Sequence, residues 1–294
     1  MQNHDADAQP RYYVPEPSHW PIVASVGLFC FFVGLGNWLH YKWYGPYIFF
    51  VGFLIIVMMM FGWFAKVITE NKNGAYQGLE GTAFRRGMIW FITSEVFFFS
   101  TFFGSLFFTR IWSIPLLGGD IYPLTNILIW PDFSAVWPLI SNPDNTQFLG
   151  AKEAASPSGI PVLNTLLLLS SGGTITMAHH ALKHNKRKAL LFWMVLTILL
   201  GATFLGCQAF EYYESYTERG LTLNSGVYGS MFFLLTGFHG AHVTIGVTML
   251  TVILVRCALG HFTPERHFAF QGVAWYWHFV DVVWIMLFFF VYWF

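Results

Sequence analysis

Seven apolar stretches dominate the chain and are separated by shorter polar segments. Each is long enough, and sufficiently free of charged side chains, for a helix that crosses a hydrocarbon core of roughly 30 Å. Because only helices and closed barrels satisfy the backbone in lipid, this pattern predicts an all-α integral membrane protein with seven transmembrane helices. The predicted helices cover residues 20–41, 45–65, 87–109, 161–180, 189–210, 226–255 and 267–294.

The polar segments define the rest of the organisation. Residues 1–17 lack the basic start and cleavage site of a secretory signal, so we predict a cytoplasmic tail there and one seven-helix domain over residues 18–294. Segment 111–160 is interrupted by prolines, and its apolar patch at residues 121–129 is too short to cross a bilayer. We therefore predict a long outer loop at 111–160.

The distribution of Lys and Arg predicts the orientation. Cytoplasmic loops carry an excess of these residues, and a cytoplasmic N-terminus puts most of them inside. This orientation leaves the C-terminus and the 111–160 loop on the outer, periplasmic side. The inside set is Arg11, Lys66, Lys72, Arg85, Arg86, Lys183, Lys186, Arg187, Lys188, Arg256 and Arg266, against Lys42, Arg110, Lys152 and Arg219 outside.

Composition supports the membrane assignment and excludes other classes. The chain is 55% hydrophobic and 10% charged, where a soluble domain carries about 25% charged residues. Lys+Arg and Asp+Glu both number 15, so no basic surface favours a nucleic-acid partner. The three cysteines, Cys30, Cys207 and Cys257, are isolated on apolar stretches and are expected to be small buried hydrophobes.

Glu95 is the one ionisable residue of the third predicted helix and lies close to its middle. An uncompensated charge at this depth costs at least roughly 2.5 kcal/mol. The carboxyl group therefore has a function, or it is a protonated, hydrogen-bonded acid with a packing role. The sequence leaves both open.

Four further residues could carry chemistry inside the membrane. His239 and His242 lie three residues apart and share a face of the sixth predicted helix. One such spacing is too few ligands for a membrane metal site, so we favour interhelical hydrogen bonding and predict no metal. His278 and Asp281 lie one turn apart, and a hydrogen-bonded pair would lower the cost of burying Asp281.

A possible lipid site lies at the cytoplasmic side. Trp63, Lys66 and Glu70 cluster at the end of the second predicted helix, and Arg256 is expected at the same level on the sixth. Cations beside an interfacial tryptophan bind lipid phosphate, although a positive-inside anchor explains them equally well. No nucleotide-binding loop, activated nucleophile or glycosidase-type carboxylate pair occurs, so no catalytic residue is predicted.

The end of the chain, AWYWHFVDVVW at residues 274–284, closely resembles the last-helix signature of the cytochrome c oxidase subunit III family. Other blocks resemble that family in the same order, and together they cover nearly all of residues 18–294. They are SHWPI (18–22), FITSEVFFF (91–99), MAHHAL (177–182), FEYYE (210–214), GVYGSMFFLLTGFHGAHVTIG (226–246) and HFTPERHF (261–268).

The resemblance implies a seven-helix subunit without a redox cofactor, whose first two helices splay from the other five around a cleft filled with phospholipid. Such a subunit packs directly on subunit I, which holds haems, one copper and the proton channels, in a complex with subunit II that receives electrons from cytochrome c. The family's buried helix-three carboxylate maps to Glu95, and its lipid-binding positions map to Trp63, Lys66, Glu70 and Arg256.

The expected function is therefore a non-catalytic subunit of an oxygen-reducing, proton-pumping oxidase. It would stabilise the catalytic subunit and its proton uptake and offer a lipid-lined oxygen path. The long 111–160 loop favours a bacterial source and thus the inner membrane. Alternatives are the matching subunit of a quinol oxidase, which usually has five helices, and a proton-coupled transporter using Glu95, His278 and Asp281. A haem or metal enzyme using His239 and His242 is a third.

Overall fold

The computed structural model describes residues 16–74, 76 and 80–294, and the regular elements in these ranges are helical. Seven helices in the described ranges are long and apolar enough to cross a membrane. The prediction of an all-α protein with seven transmembrane helices is confirmed. The chain divides into two compact units, one up to Phe84 and the other Arg85–Phe294.

The first unit is a helical hairpin of α1 (Trp20–Leu39) and α2 (Gly45–Lys72). Its two backbones touch at glycines: a Cβ added at Gly34 would collide with the backbone nitrogen of Phe49, and one at Gly52 with that of Phe31. Small residues permit such close approach, which is how helices associate without a hydrophobic driving force.

The second unit contains most of α3 (Glu80–Phe108) and all later elements. A π-helical turn (Thr109–Ser113) joins α3 to the short α4 (Ile114–Gly118), and α5 (Pro123–Leu128) follows. The remaining helices are α6 (Ile160–Lys183), α7 (Arg187–Thr217), α8 (Val227–Ala258) and α9 (Phe268–Leu287), the last continued by a π-helical segment (Phe288–Trp293).

The core of the second unit is built around α9, which packs against α6 and α8. Trp277 and Trp284 of α9 are fully buried. A Cβ at Gly201 on α7 would lie 2.7 Å from the Trp277 ring, and one at Gly246 on α8 would lie 2.8 Å from it. Trp277 therefore occupies a space that two glycines leave open, and its ring packs α9 against both α7 and α8.

Several helices run past the predicted ends. Helix α2 ends at Lys72 rather than residue 65, and α7 at Thr217 rather than residue 210. Hydropathy marks only the part that crosses the hydrocarbon core, whereas backbone hydrogen bonds extend a helix into the polar interface.

The predicted outer loop is also partly helical, because the third span continues to Gly118 instead of ending at Thr109. The Arg110 guanidinium lies 5.6 Å from the Trp137 ring centroid and 5.8 Å from that of Phe294. These cation–π contacts accommodate the charge without a break in the helix. Gly119, with φ +89°, ends α4.

The remainder of the loop is fixed to the α7–α8 connection. The Tyr228 hydroxyl accepts a hydrogen bond from the Ala155 backbone N–H at 3.0 Å. The Asn142 amide donates to the carbonyl oxygens of Phe148 and Ser225, at 3.0 and 3.3 Å. Both ends of segment 142–155 are therefore hydrogen-bonded to α8 or to the loop that precedes it.

Candidate functional site

Glu95 on α3 meets His242 on α8 inside the second unit. The Glu95 Oε2 and His242 Nε2 atoms are 2.9 Å apart, and the two side chains are 20% and 14% exposed. The rings of Phe98 and Phe99, on the next turn of α3, pack beside the same imidazole. The carboxyl group therefore has a hydrogen-bonding partner within the chain.

The hydrogen bonds of His242 determine how many protons this pair holds. His242 Nδ1 lies 2.7 Å from the carbonyl oxygen of Phe238, one turn earlier. A carbonyl only accepts, so Nδ1 carries a hydrogen. The Nε2–Oε2 bond then joins a protonated Glu95 to a neutral imidazole, or a Glu95 carboxylate to an imidazolium. In both cases the pair is neutral overall, which reduces the cost of placing Glu95 in the membrane.

His239 contacts a different helix from His242. Its Nε2 donates to the carbonyl oxygen of Val280 on α9 at 3.1 Å, and the residue is 1% exposed. The Phe204 and Trp284 rings enclose it. The two histidines thus link α8 to α9 and α8 to α3, and they do not converge on one ligand. No group of three or more His, Cys, Asp or Glu side chains suited to a metal ion occurs within the described residues.

His278 and Asp281 lie at ion-pair distance, with 3.9 Å between Nδ1 and Oδ2. This separation is too long for a hydrogen bond. The imidazole instead brings its Nε2 to 3.4 Å from the Thr176 hydroxyl on α6. Asp281 is 6% exposed, and its Oδ1 is buried without a hydrogen-bond partner among the described residues.

The amino-acid sequence is similar to one family of known proteins over most of its length. The family model of cytochrome c oxidase subunit III matches residues 10–139 and 133–294. Cytochrome c oxidase subunit 3 of Pan troglodytes and that of Squalus acanthias are each 40% identical over 286 residues, with 96% of both chains covered. The Cyprinus carpio protein is 39% identical over the same length and coverage.

The chain belongs to the cytochrome c oxidase subunit III family. The resemblance predicted from residues 18–294 is confirmed. Family membership makes the chain part of an oxidase complex with other subunits.

The subunit III positions expected to bind lipid fall in both units. In the first, the ammonium group of Lys66 and the carboxylate of Glu70 are 3.9 Å apart, and the Tyr76 hydroxyl donates to Glu70 at 2.6 Å. Trp63 is 50% exposed on the same helix. In the second unit, Arg256 is largely buried, and its guanidinium lies 4.5 Å from the Phe262 ring centroid.

Near Arg256, a polar cavity of about 180 Å³ opens at the α6–α7 connection. Lys186, Arg187 and Phe262 are among its lining residues. One guanidinium nitrogen of Arg187 donates to the carbonyl oxygen of Ala258, which is close to the end of α8. The sequence predicts Lys186 and Arg187 only as members of the basic set on the cytoplasmic side.

Sequence reasoning missed a buried polar cluster around Glu211 on α7. This residue is 1% exposed, and its Oε2 accepts hydrogen bonds from Gln208 at 3.0 Å and from Tyr292 at 3.1 Å. Asn164 on α6 extends the cluster through Gln208 at 3.4 Å. The spacing of Gln208 and Glu211 could have indicated a shared face, but the predicted helix ended at residue 210.

Proposed function

We propose that this chain is a non-catalytic core subunit of cytochrome c oxidase, a proton-translocating enzyme that reduces oxygen to water. In this proposal it packs directly on subunit I, beside subunit II, and those partner subunits hold the haem and copper. Electrons reach the complex from cytochrome c. Sequence identity of 40% across 96% of the chain supports this assignment.

The main support for the proposal is that polar side chains of the bundle form hydrogen bonds between helices of the same chain. Glu95, His239 and His242, the groups best suited to ligand chemistry, are each engaged by another helix of the same chain. Trp277 and Trp284 donate through Nε1 to Ser171 and Thr165 of α6 in the same way. Such contacts fix helices against one another and suit a scaffold.

The proposed role is physical. A firmly packed scaffold against the catalytic subunit holds that subunit's proton-entry surface in one conformation. Removal of the scaffold would allow the surface to relax, which would slow proton uptake and shorten the working life of the enzyme.

A lipid-lined oxygen path is the second part of the proposal. Oxygen is apolar and prefers a hydrocarbon environment to water. Trp63, Lys66 and Glu70 on α2, and Arg256 on α8, offer charged and interfacial groups for phospholipid headgroups. Lipid bound by these residues would provide oxygen with a low-dielectric route along the subunit.

The proposed location is a bacterial inner membrane, with the N-terminus cytoplasmic and the C-terminus periplasmic. This orientation rests on the excess of Lys and Arg on the inside segments. The seven apolar helices support a multi-pass membrane protein.

The test is removal of this chain from the purified complex by detergent, followed by kinetics. The proposal predicts a slower proton-uptake step and loss of activity after far fewer turnovers, both restored when the chain is added back. Full turnover over many cycles, with unchanged proton uptake, would refute it. Parallel assays with reduced cytochrome c and with a quinol identify the electron donor, and activity with quinol only would assign the complex to the quinol oxidases.

A further inference from the structure

Asp281 has no hydrogen bond to another described residue. It is 6% exposed, its Oδ1 has no partner within the described residues, and its Oδ2 lies 3.9 Å from His278 Nδ1. Glu95 and Glu211, by contrast, each bond to side chains of the bundle. A buried carboxyl group without a hydrogen bond is costly, so a donor from outside the chain would stabilise it.

The position of Asp281 in the fold shows where that donor would enter. Its side chain lies in the seam between α9 and α6, where a Cβ added at Gly172 would come within 2.5 Å of Oδ2. His278 and Thr176 lie next to it along the same seam, 3.4 Å apart. The His278 side chain is 45% exposed, so this part of the seam is open at the surface of the bundle.

The surface around this opening is apolar and permits close approach. Val282 and Ile285 of α9 are 56% and 44% exposed, and Leu169 of α6 is 47% exposed. A Cβ added at Gly173 would meet nothing within 4 Å. Exposed aliphatic side chains beside glycine are typical of surfaces on which transmembrane helices pack. We call this surface the α6–α9 face; it consists of Leu169, Gly173, Thr176, His278, Val282 and Ile285, around Asp281.

The depth of Asp281 in the membrane indicates which kind of molecule could bind the α6–α9 face. Asp281 is near the middle of the Phe268–Trp293 span, about 20 Å from its start. Phospholipid headgroups lie at the interfaces, so they do not reach this depth, and lipid tails have no donor. A protein helix can bring a donor to mid-membrane.

We propose that the α6–α9 face binds a transmembrane helix of a partner subunit of the oxidase, and that this helix presents a Lys or Arg side chain to Asp281. Charged residues inside membranes pair with one another, and a Lys or Arg cation would complement a carboxylate whose nearest basic group in this chain, His278 Nδ1, is 3.9 Å away. His278 and Thr176 would border the pair and shield it from lipid. The inference rests on the proposed function in taking the partner to be an oxidase subunit.

Photo-crosslinking in the intact complex tests the inference. A benzophenone amino acid at Val282 should form an adduct with another subunit, and the crosslinked peptide should contain Lys or Arg within about one turn of the reactive position. The same probe at Leu199 on α7, which is 58% exposed, sets the background yield. Adducts with lipid only at Val282, or with a peptide that lacks a basic residue, would overturn the inference.

Substitution of Asp281 tests the charge itself. Asp281→Leu should shorten the dissociation half-time of this chain from the detergent-solubilised complex at least tenfold, and Asp281→Asn should have a smaller effect in the same direction. Glu211→Gln, at an equally buried carboxylate bonded within the chain, is the matched control and should stay within twofold of the unsubstituted complex. Equal effects of Asp281→Leu and Glu211→Gln, or no effect of either, would overturn the inference.

Different results would refute the proposed function and the assignment of the α6–α9 face. If the chain does not copurify with haem-containing subunits, the proposed function is wrong. If it copurifies but Val282 reacts with lipid only, the proposed function stands and the assignment of the α6–α9 face is wrong.

Discussion

The imidazole of His242 bonds to Phe238 of its own helix through Nδ1, at 2.7 Å, and this bond determines what Nε2 can offer to Glu95 on α3. With a hydrogen on Nδ1, a neutral His242 can only accept at Nε2. The pair therefore shares one proton and attaches α3 to α8 without a net charge. Helix α3 is otherwise connected to α8 mainly by aromatic contacts, such as Phe98 with Phe238 at 5.1 Å between centroids.

Glu95→Gln should preserve assembly and most proton pumping. The glutamine amide can donate to Nε2 of a neutral His242, so the link between α3 and α8 survives. Proton translocation by the variant complex in vesicles, with subunit content measured in parallel, checks this. Loss of translocation in a fully assembled complex would show that Glu95 lies on the proton route.

Glu95→Leu and His242→Phe should each destabilise the subunit, and the double variant should lose less than the sum. Interhelical hydrogen bonds in membranes contribute about 0.6 kcal/mol on average, with a maximum of about 1.7 kcal/mol. We expect a coupling free energy in this range from a double-mutant cycle on detergent unfolding of the complex. Strict additivity would mean that the 2.9 Å contact contributes nothing to stability.

Gly246→Val should be strongly destabilising because its side chain would overlap the Trp277 ring, which an added Cβ already approaches to 2.8 Å. Overpacking of this kind costs about 1–3 kcal/mol. Trp277→Leu shrinks the ring and should partly rescue the Val variant, although alone it loses the hydrogen bond to Ser171. Thermal unfolding of the complex with each single variant and with the pair measures this. Gly240→Val, at a position on α8 where an added Cβ meets nothing within 4 Å, is the control for glycine replacement within the same helix.

Tyr228→Phe should release the outer segment without unfolding the helices. The buried N–H of Ala155 loses its acceptor, at a cost of about 1–3 kcal/mol. Limited proteolysis from the outer side should then cut within residues 142–158 faster than in the unsubstituted protein. Tyr213→Phe on α7, which removes a hydroxyl from a 66%-exposed side chain, should leave the cleavage rate unchanged.

Much of this architecture could be predicted from the sequence, because hydropathy and helix length are local properties. The seven spans and the family resemblance depend on contiguous residues. The partners of Glu95 could not be predicted in the same way, because Glu95 and His242 are 147 residues apart. Only the packing of α3 beside α8 brings them together.

Local spacing was insufficient in two cases. Residues 278 and 281 are one turn apart on α9, but their spacing does not show that both side chains also face α6, where His278 approaches Thr176 and Asp281 lies over Gly172. The cluster of Gln208, Glu211 and Tyr292 requires knowledge that the end of the chain returns to α7. Spacing along one helix gives the face of a residue but not the neighbour that the face meets.

If this chain supports electron transfer performed by neighbouring subunits, it carries no haem of its own. An optical spectrum of the complex purified through a tag on this chain, recorded before and after the chain is dissociated in detergent, tests this. We expect haem absorption in the complex, all of which stays with the other subunits when this chain separates. Haem absorption that follows the separated chain, with His239 or His242 required for it, would show that the chain is a haem protein.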